Sequence, residues 1–149
     1  MRRGIIAIAA SLALIVIGTL EAAESARQIA ELTTFTRIRP NGAGLSALGL
    51  AASTAIYVAL GWWLRDDRAA VRTGALVGLV AGVVGGSLRA LLIADAVREA
   101  IARNAVVPEW FVGAVLVAFV VVSAVVTVVG GATLTFAGSR LGSARRAGA

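Results

Sequence analysis

The chain has 149 residues, 59% of them hydrophobic and only 15% charged, with a formal charge of +6 and a mean hydropathy of +0.91. A soluble domain keeps about a quarter of its residues charged, so this composition points to a membrane. Cysteine, histidine and lysine are all absent and Met1 is the one methionine; this excludes disulfides, thiolate or imidazole metal sites, the usual haem ligands and a Schiff-base lysine, and no cofactor is expected.

Four apolar runs follow in chain order, at about residues 4–20, 43–64, 74–94 and 110–138. Each reaches or approaches the roughly 20 residues a helix needs to cross the hydrocarbon. The first run begins after Arg2 and Arg3, and its helix is expected to continue as an amphipathic extension, LEAAESARQIAEL (20–32), before a return at Pro40. A rival reading treats it as a secretory signal, with Ala23-Glu24-Ser25 as the small-x-small cleavage site.

The second run ends on Trp62 and Trp63, followed by Arg65-Asp66-Asp67-Arg68. Indole rings favour the membrane interface. The two aspartates could hold a divalent cation beside lipid phosphate, but a charge cluster that ends the helix and sets its depth is the simpler reading.

The third run, GALVGLVAGVVGGSLRALL, carries Gly74, Gly78, Gly82 and Gly86 at steps of four, and then Arg89. On an uninterrupted helix the glycines span about 0–120° and Arg89 falls at about 60°, inside the same stripe. Lipid tails give helices no hydrophobic reason to associate, so glycines at this spacing mark a face for close backbone packing. The first span offers a matching seam of small residues, Gly4, Ala7, Ser11 and Gly18, interrupted by Leu14. The expectation is that the ladder packs on that seam.

If the first and third spans run parallel, Glu21 and Arg89 differ by only about 3 Å in height. Arginine cannot lose its proton to escape burial, so an ion pair of Arg89 with Glu21, or with Glu24 one turn outward, is expected. The third helix should also continue outward as LIADAVREAIARN (92–104), with a return at Pro108. The two halves thus share a plan, RRG at 2–4 matching RTG at 72–74, in the manner of a tandem repeat.

The fourth run opens on Trp110 at the opposite interface; it is valine-rich, but too long without a turn to be a strand. The Gly130-Gly131 pair is expected to allow a bend, and residues 139–149 to form a short basic tail. With both termini in the cytoplasm, eight arginines and two aspartates lie inside, and five arginines and six carboxylates outside. Arginine excess on the inner side sets topology, which removes the main argument for nucleic acid as a partner.

The expected object is therefore an all-α, single-domain four-helix bundle in a bacterial inner membrane. It comprises two helical hairpins, with both termini inside and helices 1 and 3 prolonged beyond the outer face. No nucleotide loop, catalytic triad or metal motif is present, and no carboxylate lies at mid-span. The expected role is non-catalytic: a structural, assembly or accessory subunit that packs against itself or a larger membrane protein. The alternative is a small-solute or ion permease formed by oligomerisation, its conduit between subunits lined by the mid-span hydroxyls Ser11, Ser53, Thr54, Tyr57, Ser123 and Thr127.

Overall fold

A computed structural model describes residues 2–32, 42–64, 66–104 and 108–147, and all secondary structure among them is helical. The helices are α1 (Arg2–Leu32), α2 (Gly42–Leu64), α3 (Asp67–Val80), α4 (Gly86–Asn104) and α5 (Glu109–Ala147). A π-helical turn, Ala81–Gly85, joins α3 to α4 in one continuous rod. Inside a bilayer no water meets the backbone, so helix is the state that satisfies every peptide group even in glycine- and valine-rich sequence.

Four helical segments are long and apolar enough to cross a membrane: Gly4–Glu24, Ala47–Leu64, Asp67–Asp95 and Trp110–Ala144. The distribution of side chains fits a multi-pass membrane protein. Large apolar residues such as Leu48, Leu91 and Val126 lie outside, whereas Thr135 and Ser139 are fully buried. A soluble core inverts that order, because water drives large apolar groups inward.

Local signals fix the helix ends. Asp66 stands before α3 with extended backbone, and its carboxylate accepts from the Arg68 N–H at 3.1 Å, capping one of the orphan donors of the first turn. The Pro108 carbonyl accepts from Phe111 N–H at 3.0 Å and opens α5. Pro40 and the return around it lie outside the described residues.

Two boundaries differ from the sequence reading. The third rod begins at Asp67 rather than at residue 74, because the Asp66 cap starts the helix one turn after Trp63-Leu64. Helix α5 runs unbroken through Gly130-Gly131. It continues to Ala147, and residues 139–147, expected as a tail, form its last turns. Both differences share a cause: Ser139 and Arg140 bind Asp67, which holds the end of α5 against the start of α3.

Candidate functional site

The glycine ladder does not face α1. A Cβ on Gly74 would overlap Thr135 and the Gly131 carbonyl, one on Gly78 the Thr127 carbonyl, and one on Gly82 the Thr127 hydroxyl. At Gly86 it would lie 3.3 Å from the Ser123 Cβ. The ladder therefore packs backbone to backbone on an antiparallel α5. The expected partner, α1, touches the rod elsewhere: a Cβ on Gly85 would lie 4.0 Å from its Ile15 Cα, and one on Gly4 would meet nothing within 4 Å among the described residues. Ser11 is buried and donates to the Ala7 carbonyl of its own helix at 2.9 Å.

The sequence held the signal for the true partner. Ser123, Thr127, Gly131, Thr135, Ser139 and Ser143 recur every four residues along α5. This stripe of small residues is longer than that of α1 and has no leucine in it. Its hydroxyls also hold the seam together, since Thr127 donates to the Gly78 carbonyl at 2.8 Å and Thr135 to the Ala70 carbonyl at 3.0 Å. A hydroxyl that bonds its own helix keeps that option in any neighbourhood. A bond to the facing carbonyl requires the close approach that glycine permits.

The other face of α5 packs on α2. Gly61 sits against the Thr135 backbone, Gly138 against that of Val58, and Gly142 beside Trp62. Trp62, Trp63 and Trp110 all keep exposed ring surface, and Trp110 meets Phe111 edge-on at 6.1 Å.

Arg89 points away from the ladder and towards α1. Its Nη2 lies 2.6 Å from Glu21 Oε2 and its Nε donates to the Gly18 carbonyl at 2.7 Å. Two glycines make room for this pair. A Cβ on Gly18 would stand 2.9 Å from Arg89 Nη2, and one on Gly49 of α2 would overlap the Glu21 carboxylate. The π turn explains how ladder and arginine part company. It holds one residue more than an α turn, which rotates everything downstream back by about 100°. Gly86 then returns to the line of Gly74, Gly78 and Gly82, while Gly85 and Arg89 swing towards α1.

Where the π turn widens the rod, a cavity of about 100 Å³ opens among all four long apolar segments. Its polar lining is Ser53 and Tyr57 from α2, Arg89, and Ser123 and Thr127 from α5. Tyr57 is only 5% exposed, and its hydroxyl is buried with no hydrogen-bond partner among the described residues. At the far end of the rod, Asp67 accepts from Ser139 at 2.7 Å and pairs with Arg140 at 2.9 Å. The Arg-Asp-Asp-Arg motif thus supplies a helix cap and an interhelical clamp. Among the described residues no three acidic side chains gather as a metal site would require.

Comparison of the chain with protein-family models, curated proteins and solved structures finds no match, so function has to be argued from this geometry.

Proposed function

We propose that the protein is a non-catalytic inner-membrane component with both termini in the cytoplasm, an accessory or assembly subunit that acts by packing a helix face against another membrane protein or a second copy of itself. The reading that arginines mark the cytoplasmic side supports this orientation; it places the Asp67–Arg140 clamp inside and the Glu21–Arg89 pair near the outer face.

The observation that carries the proposal is the outer face of α5. In the most apolar 18-residue stretch of Trp110–Ala144 only 11% of the residues are buried, and the exposed surface presents Val122, Val126 and Val129 beside Gly130, whose Cβ position meets nothing within 4 Å among the described residues. Valine has little rotamer freedom to lose in a helix and glycine has none. Such a face packs on another helix at low entropic cost, and small or stiff residues favour association in lipid. The ladder cannot serve this purpose, since α5 already occupies it.

The chain has no cysteine, so single cysteines report cleanly. Crosslinking from Val126→Cys in native membranes should give one discrete larger adduct, and Leu91→Cys on α4 should give none. Absence of any adduct, together with solute or ion flux through liposomes of the pure protein that Arg89→Gln abolishes, would replace this reading with the permease.

A further inference from the structure

We propose that the groove between α4 and the first half of α5 seats one acyl chain of a phospholipid whose headgroup carries both phosphate and ammonium, with the phosphate on Arg98 and the ammonium on Asp95. The proposal does not depend on the accessory role.

The groove arises where the close seam stops. At Gly86 a Cβ would lie 3.3 Å from the Ser123 Cβ. The stripe of small residues ends there, since the next steps of four along α5 are Phe119 and Val115. Farther along, a Cβ on Gly113 would meet nothing within 4 Å among the described residues. One depression runs from Ser87 and Ala90 to Leu116, and a second continues from Leu116 past Gly113 to Arg98. Ala90 is buried at the floor, and Leu91 and Val117 stand exposed at the rims.

Length and openness fit an acyl chain. From Ser87 to Arg98 helix α4 rises about 16 Å, close to half of the roughly 30 Å hydrocarbon core. That is the depth one leaflet supplies. A flexible chain lying in the furrow makes the dispersion contacts that a gap would forfeit. The groove lies on the opposite side of α5 from Val122, Val126 and Val129, so lipid here and a protein on that face do not compete.

The head end selects the lipid. Arg98 shares its depression with Val112 and Gly113, within one turn of Trp110, at the level where indole rings meet headgroups. Asp95 lies 3.2 Å from Arg98, and the two side chains are 95% and 67% exposed. A pair so exposed contributes little by itself and leaves both charges able to meet a headgroup. A phosphate–ammonium dipole answers both at once. A headgroup with phosphate and no cation meets Asp95 and Glu99, each within a turn of Arg98, as like charges. This acidic setting is the reverse of the Lys/Arg clusters that select anionic lipid.

Native mass spectrometry of the full chain in detergent, titrated with dioleoyl phosphatidylethanolamine or dioleoyl phosphatidylglycerol, reads the first lipid bound. The ethanolamine lipid should bind at least about five-fold more tightly than the glycerol lipid. An Asp95→Asn, Arg98→Gln variant should lose that preference. Gly113→Leu places a side chain in the groove where there is open space and improves helix propensity. It should keep the thermal midpoint and weaken the first binding of the ethanolamine lipid at least about five-fold. Val126→Leu, on the opposite side of α5, should leave binding as it was. Equal or tighter binding of the glycerol lipid by the native chain would overturn the proposal, as would unchanged binding in either groove variant or no bound lipid at all.

Discussion

Arg89 and Glu21 stand 68 residues apart in the chain and 2.6 Å apart in space. Each side chain retains under a third of its surface exposure, and glycine flanks both. A guanidinium within a membrane rod keeps its charge at any ordinary pH. Removing the carboxylate therefore leaves a cation to be solvated by other means. Glu21→Gln and Arg89→Gln should each lower the thermal midpoint in mild detergent, and the double variant should be no worse than the poorer single one. Such a cycle should return a coupling of about 0.5–3 kcal/mol. Additive losses would show that the two groups act separately.

The neighbours Gly130 and Gly131 make a sharper pair. Gly131 packs on the Gly74 carbonyl and the Tyr57 ring, while a Cβ at Gly130 meets nothing within 4 Å among the described residues. Gly131→Ala should destabilise by about 1–3 kcal/mol through overpacking. Gly130→Ala should be neutral, or stabilising by up to about 1 kcal/mol from helix propensity. Thermal unfolding of the two single variants in one detergent decides the point, and equal effects would argue against the close seam.

Two threonines on α5 differ in a similar way. Thr127 bonds across to the Gly78 carbonyl, whereas among the described residues Thr133 bonds carbonyls of its own helix, those of Val129 and Gly130. Interhelical bonds in membranes contribute about 0.6 kcal/mol on average and up to about 1.7. Thr127→Val should lose an amount in that range, and Thr133→Val should lose almost nothing. A reversed order in denaturation would contradict the assignment.

Much of this arrangement was legible in the sequence, and the misses have physical causes. The four crossings follow from apolar run length, and the level of Glu21 against Arg89 follows from helical rise. The ladder's partner escapes a reading that takes the hydroxyls of α5 one at a time, as lining for a conduit, rather than together as one stripe. Read as a stripe of period four, Ser123 to Ser143 matches the ladder better than the leucine-interrupted seam of α1. The π turn was invisible to a wheel drawn at constant pitch. That wheel placed Arg89 among the ladder glycines, whereas the extra residue turns it to α1. Nothing in the composition of Ala81–Gly85 distinguishes a π turn from one more α turn.

The π turn carries its own prediction. It amounts to one residue inserted in an otherwise regular helix, so deleting Val83 should restore an α-helix and leave both flanks in place. The Glu21–Arg89 coupling should survive in that deletion variant. Deleting Leu76 within α3 instead should rotate the preceding turns by about 100° and cost stability. Loss of the coupling in the Val83 deletion would mean that the turn aims Arg89 in some other way.

The seam between α3 and α5 repeats itself every four residues on both sides, a step of about 6 Å along the axis. A ladder with identical rungs can be climbed: slipped by one rung, glycine would meet threonine again and the hydroxyls would find new carbonyls. What distinguishes the native alignment from its shifted copies lies at the two ends of the rod, with Asp67 gripping Ser139 and Arg140 at one and Arg89 seated on Gly18 and Glu21 at the other. The small residues make the helices adhere, and the few charges choose the rung.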